Sequence, residues 1–305
     1  MDDLLELTER PVAKEVYMIA GWRQWADAGA TSSALPQYLI DHLGARKIGR
    51  IKSGGFYLYQ LPMTQHFLRP EVKFEEGYRK ELRQPRNEIF YAGDERKGLV
   101  IFLGDEPHLG VERYAEAFFN AAQELNVKRI AALGGVYGGV PYDKDRQVSC
   151  SYSLPRMKEE LSGYAVRFSN YEGGVSMGSY LTDRAEQVGM EYFTLYAFVP
   201  MYDFSQLVRD MQGISIDNDY KAWYDVMRRL NHMFGMDVDL AELSQQSDEL
   251  LESMNSKIDE LERKAPKVPV RGFLEKISEG FTELSFMPLD DVWNRELGDL
   301  FRDIE

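Results

Sequence analysis

Among 305 residues the chain has one cysteine, Cys150, four histidines and no long apolar run. A single thiol excludes an intramolecular disulfide and any multi-cysteine metal site. The histidines show no metal-ligand spacing, so no metal is expected, and no cofactor is implied. The longest stretch free of Lys, Arg, Asp and Glu is 53–68. It holds two Gly, two Gln, a Pro and a His, and does not read as a membrane span. Met1-Asp2-Asp3 carries the wrong charge for a secretory signal. Positive charge is also short: 36 Lys+Arg face 50 Asp+Glu, a net of −14. Such a chain repels phosphate backbones and anionic lipid, which argues against nucleic acid and membranes as partners. A soluble, reducing, cytoplasmic setting is the expectation.

What is present is ample apolar material, 44% hydrophobic and 12% aromatic, enough for a sizeable core. The acidity is uneven. Residues 1–235 carry 28 basic and 32 acidic groups, whereas residues 236–305 carry 8 and 18. The expected organisation is therefore a core over 1–235 and an acidic helical extension over 236–305.

Within the core one pattern recurs: a short apolar run, a glycine-containing turn, then a helical stretch. The runs are 15–20, 98–103, 129–133 and 192–199, with helices expected at 28–42 and 111–126. Runs that are apolar throughout fit strands covered on both faces, and strand–helix alternation predicts an α/β fold with a largely parallel sheet. Residues 56–91, with Pro62, Pro70 and Pro85, predict short antiparallel excursions. Helices are also expected at 158–161, 176–188 and 220–234. In the extension, apolar stripes run from Leu240 to Leu261, from Phe273 to Leu284 and, behind an Asp290 cap, from Val292 to Ile304.

Four motifs could carry chemistry. Gly21-Trp22-Arg23-Gln24-Trp25-Ala26-Asp27-Ala28-Gly29 lies where a strand hands over to a helix, the place where α/β proteins bind ligands. Asp27 could face a ligand or cap the helix, Trp22 could bind or pack, and Gly29 permits close backbone approach. Asp105 and Glu106, in Gly104-Asp105-Glu106-Pro107-His108, could do acid–base work or suit the positive end of the next helix. Gly134-Gly135-Val136-Tyr137-Gly138-Gly139 lacks the ending of a phosphate-cradling loop, although its amides could meet an anion. Downstream, Asp143-Lys144-Asp145-Arg146 reads as a solvated turn. Gly174-Val175-Ser176-Met177-Gly178 matches a serine-nucleophile pattern, but no strand directly precedes it. The candidate ligand contacts are thus Trp22, Asp27, Gly29, Asp105, Glu106, Gly134, Gly135, Tyr137 and Arg146; no catalytic residue is assigned.

In order and spacing these segments, with Tyr171-Glu172-Gly173-Gly174 and Val199-Pro200-Met201-Tyr202, resemble the prokaryotic branch of the proteasome assembly chaperone 2 family over about residues 10–235. The resemblance implies a nucleoside phosphorylase/hydrolase-like fold, a mainly parallel sheet sandwiched by helices. It also implies a homo-oligomer, for instance a trimer, or pairing with a related chain, and a protein client. Where bacterial relatives tend to show Pro-His-Thr-Arg-Pro, this chain has Pro141-Tyr142-Asp143-Lys144-Asp145-Arg146. Proteasome-docking tails can end hydrophobic-Tyr-any residue, and here Ile304 stands at the Tyr position. The expected function is that of an interaction or assembly-chaperone-like protein. The alternative is a small-molecule enzyme for a nucleoside- or phosphate-type ligand, or an ATP-grasp-type ligase.

Overall fold

The computed structural model describes residues 4–59, 69–204, 213–266 and 268–286. The strands are β1 (Leu5–Leu7), β2 (Glu15–Arg23), β3 (Arg46–Ile51), β4 (Glu71–Glu75), β5 (Tyr78–Arg83), β6 (Asn87–Gly93), β7 (Lys97–Asp105), β8 (Val127–Gly138), β9 (Val148–Tyr152), β10 (Arg167–Phe168) and β11 (Glu191–Pro200). The helices are α1 (Ala34–His42), α2 (Val111–Glu124), α3 (Lys158–Ser162), α4 (Met177–Gln187), α5 (Tyr220–Phe234), α6 (Ala241–Lys264) and α7 (Val270–Glu279). Nine strands form one mixed sheet in the order β1-β3-β6-β7-β2-β8-β11-β9-β10, and β4 and β5 form a separate antiparallel hairpin.

This is the α/β architecture the alternation predicts. Its centre is parallel, with β2 running alongside both β7 and β8. β1, β3 and β6 continue the sheet antiparallel on one side. Every residue of β7 after Lys97 is buried, as a strand covered on both faces requires.

The chain divides into two compact units. The first comprises residues 1–136, 150–158 and 168–196, and the second residues 137–149, 159–167 and 197–305. In the first, α2 buries Tyr114, Ala115, Phe118, Phe119 and Ala122 in the same core cluster as Met18, Trp22 and Phe102. The Trp22 ring lies 5.5 Å from both Phe102 and Phe118, and those two meet edge to face at 5.1 Å. Small alanines on α2 let these large rings interdigitate at interior density.

In the second unit, α5 begins where Asp219 accepts a hydrogen bond from the Ala222 amide at 3.0 Å and ends at Gly235 with a φ of 55°. The helix α6 contacts α5 and α7 contacts α6. Leu243, Met254 and Ile258 supply the buried stripe of α6, and Arg271 ties α7 to Glu262 at 3.2 Å. The stripe expected at 292–304, with its Asp290 cap, lies outside the described residues, as do the chain end and residues 60–68.

Local differences have local causes. The helix expected from residue 28 starts instead at Ala34, because Gly29 and Ala30 take φ values of 60° and 49°, which interrupt a right-handed helix. β1, β3 and β9 carry no apolar run. In β3, Arg46-Lys47-Ile48-Gly49-Arg50-Ile51, the charged residues are exposed and Ile48, Gly49 and Ile51 are buried, with a register shift between Lys47 and Gly49.

Candidate functional site

The segment leaving β2 is held between the ends of β7 and β8. Arg23 Nε donates to Asp105 Oδ1 at 2.7 Å, and the Glu106 amide donates to the Arg23 carbonyl at 3.1 Å. The Trp25 amide donates to Glu106 Oε2 at 3.2 Å. On the other side Asp27 bridges Gly135 in parallel register, and the Gly135 amide donates to the Ala26 carbonyl at 2.9 Å. The fold thus brings Asp27, Gly29, Asp105, Glu106, Gly134 and Gly135 to one set of strand ends. A Cβ on Gly135 would lie 2.0 Å from the Ala28 carbonyl oxygen, and one on Gly134 would lie 2.4 Å from the Tyr196 ring. Close backbone packing requires glycine at both positions.

The polar groups here are largely engaged within the protein. Asp27 Oδ1 accepts from the amides of Ser32 and Ser33 at 2.8 and 3.0 Å, closing the turn that leads into α1. Burial pushes the Asp27 carboxyl above the usual carboxylate range, against the opposing hydrogen bonds from Ser33 and Ser32. Glu106 is raised by burial as well, opposed by the Trp25 amide. Asp105 Oδ2 accepts from the Arg86 amide at 2.7 Å. Trp22 corrects one expectation: it has no exposed surface, and its Nε1 donates to the Tyr114 hydroxyl at 2.9 Å. Trp22 is part of the core cluster.

Sequence reasoning passed over several residues that organise this region. Gln24 donates through Nε2 to Ser32 Oγ at 2.9 Å and accepts through Oε1 from the Met177 amide at 3.1 Å. Asn87 Oδ1 accepts from the Tyr114 and Tyr57 hydroxyls, each at 2.8 Å. Gln24 lies within the first motif, but nothing around Asn87 distinguishes it from any asparagine opening a strand. Ser176, the centre of the nucleophile-like pattern, is the N-cap of α4. Its Oγ accepts from the Ser179 amide at 3.3 Å and lies 2.7 Å from the Tyr196 hydroxyl. β10 ends at Phe168, well before it, so the strained strand-to-helix elbow of a serine hydrolase is not formed. Burial pushes the Cys150 thiol up to about 12, far from thiolate reactivity.

Tyr137 and Arg146 belong to the second unit. Tyr137 is 47% exposed, and its hydroxyl donates to the Ile216 carbonyl at 3.5 Å. Arg146 is the second correction. Its side chain is fully buried and pairs with Asp219 at 2.8 Å, while its Nη1 donates to the carbonyls of Tyr142 and Lys144 at 2.8 and 3.1 Å. Its amide donates to Asp225 at 2.7 Å, and Lys221 bridges Asp225 at 2.9 Å and Asp145 at 2.5 Å. The loop read as a solvated turn is therefore the centre of a buried ionic network, and Arg146 has its donors committed to it.

Among the described residues no group of His, Cys, Asp and Glu is arranged to hold a metal ion, and no helix is long and apolar enough to cross a membrane. The profile of the PAC2 family matches residues 21–258, from the start of the first motif into α6. The chain belongs to the PAC2 family. Solved PAC2-type folds are similar to it at low identity. A PAC2 family protein from Streptomyces avermitilis superposes with a TM-score of 0.66 at 21% identity, covering 79% of this chain and 95% of its own. A proteasome-assembly chaperone homologue from Mycobacterium tuberculosis gives 0.66 at 20%, covering 79% and 94%. PbaB of Pyrococcus furiosus, an archaeal proteasome activator, gives 0.56 at 18%, covering 83% and 97%. No curated protein sequence matches the chain. At these identities the likeness is one of fold, and the PAC2 fold by itself assigns no chemistry.

Proposed function

We propose that this PAC2 family member is a non-catalytic assembly or scaffold protein of the cytoplasm that self-associates and engages a protein client. The carrying observation is the contrast at the strand ends of the first unit. There the polar groups turn inward as caps and ties, while Trp25, Tyr171 and Val175 stand 69%, 64% and 65% exposed. A Cβ built on Gly174 would lie 3.9 Å from the Trp25 ring, and the Tyr171 hydroxyl donates to the Gly174 carbonyl at 3.3 Å, so Trp25 and Tyr171 share one rim. Exposed aromatics with limited rotamer freedom suit protein recognition better than they suit water. The relatives named for proteasome assembly and activation support a client of that kind.

Purification of the tagged chain from its native cells, followed by native mass spectrometry, tests the reading. A defined complex with an oligomer of this chain is expected, and Trp25→Ala with Tyr171→Ala should release the client while the fold persists. Recovery of the chain alone, as a monomer, would sink the proposal.

A further inference from the structure

A second feature of the first unit does not depend on that reading. An open cleft of about 820 Å³ is bounded by the ends of β2 and β7, the start of α1, β3 and the segment joining β5 to β6. Six cationic side chains line it: Arg23, Lys47, Arg50, Lys52, Arg83 and Arg86. Only three acidic side chains do so, Glu81, Glu88 and Asp105. The cleft therefore carries an excess of positive charge on a chain whose net charge is −14.

Two further carboxylates outside the lining, Glu6 and Glu71, pair with these side chains, which leaves six cations to five acids and a smaller positive excess. Glu88 serves both Lys47, at 2.5 Å, and Arg86, at 3.5 Å. Glu6 serves both Arg50, at 2.6 Å, and Lys52, at 3.3 Å. Arg83 reaches Glu71 only at 3.9 Å. All six cationic side chains keep between 42% and 57% of their surface in water. Arg23 is held by the buried Asp105, but the other pairs are exposed enough to contribute little, so those five side chains can turn to a ligand at small cost.

One of the lining residues, Asn87, also carries a buried donor without a partner: it is 2% exposed, and its Nδ2 has no hydrogen-bond partner among the described residues. Tyr114 accepts from the Trp22 indole and passes its own proton to Asn87 Oδ1, which fixes the amide with Nδ2 as the remaining donor. A buried donor left unpaired is costly unless something satisfies it.

We infer that this cleft binds a small molecule carrying two or more adjacent phosphate groups. Guanidinium forks from several elements match phosphate oxygens in pairs. The volume falls within the range of about 300–1,000 Å³ typical of small-ligand sites, more than one isolated phosphate fills. The negative field of the rest of the chain disfavours a long polyanion such as nucleic acid.

Isothermal titration at physiological ionic strength, with pyrophosphate, ATP, inorganic phosphate and a hexaglutamate peptide, tests the assignment. Pyrophosphate and ATP should bind saturably, and more tightly than phosphate. Arg50→Glu combined with Arg86→Glu should weaken them by more than about tenfold, since each charged hydrogen bond lost is worth about that much. Arg113→Glu, on the exposed side of α2, should leave binding unchanged. If the double reversal fails to fold by circular dichroism, Lys47→Gln and Arg86→Gln singly should each weaken binding. No saturable binding, equal binding of single phosphate, preference for the peptide, or indifference to the cleft variants would each overturn it.

Discussion

In the first unit the polar groups buried beneath the strand ends are mostly neutral. The Trp22 indole donates to Tyr114, Tyr114 to Asn87, and Tyr57 shares Asn87 and the Asp105 carbonyl. In the second unit they are charged. Arg146 and Asp219 are both without exposed side-chain surface, and Asp225, Lys221 and Asp145 extend the chain of charges. Arg229, likewise buried, donates to the carbonyls of Asp225 and Tyr164 at 2.7 and 3.0 Å, and burial lowers its guanidinium to about 10. A neutral chain loses only hydrogen bonds when a member is removed, whereas an ionic network is left with an unpaired charge. The two units should therefore respond very differently to single deletions.

The largest effect is expected at Asp219. Asp219→Ala strands the Arg146 guanidinium and strips the α5 cap, at a cost of about 3–5 kcal/mol in urea unfolding. Asp219→Asn keeps an acceptor for the Ala222 amide and should recover part of the loss. Next, Tyr114→Phe removes the Trp22 acceptor and the Asn87 donor together and should cost about 1–3 kcal/mol. If Tyr114→Phe proved as damaging as Asp219→Ala, the contrast between the units would be wrong.

Asp27→Ala should cost about 1–2 kcal/mol, because the buried amides of Ser32 and Ser33 lose their acceptor. Asp27→Asn keeps that acceptor without the buried charge and should stay close to the parent; an equal loss in both would mean that the charge itself matters. The smallest effect is expected at Glu106 and is read against pH. Burial raises its carboxyl in the folded state, so the folded chain holds this proton more tightly than the unfolded chain. Its contribution favours folding at acid pH and is lost as pH rises from the ordinary carboxylate range through the folded value. Glu106→Gln should flatten that segment of the stability–pH curve relative to the parent, and an unchanged slope would exclude the assignment.

The central strands were legible because burial on both faces demands continuous apolar runs, as in Gly98–Leu103 of β7. The helix expected at 220–234 was also legible, and it forms α5 over Tyr220–Phe234. What could not be read were partnerships across long sequence separation. Arg146 finds Asp219 across 73 residues and Gln24 finds Met177 across 153, so a loop written Asp-Lys-Asp-Arg looks solvated until its partners are placed. The hairpin β4–β5 was expected only as an antiparallel excursion, since its strands are exposed throughout and show no buried face. At the candidate site the residue types were legible, but their internal engagement was not. Whether a carboxylate faces a ligand or a backbone amide depends on distances that sequence does not carry.

Trp22 and Trp25, three positions apart, sit in opposite surroundings: one sealed and hydrogen-bonded, the other 69% exposed. The pair gives the chain an intrinsic optical readout. The sealed indole should emit at short wavelength and resist collisional quenchers, whereas the exposed one should emit to the red and be quenched readily. The difference between the parent and Trp25→Phe spectra isolates the rim indole, so that anything settling on that rim can be followed by its colour, without a label.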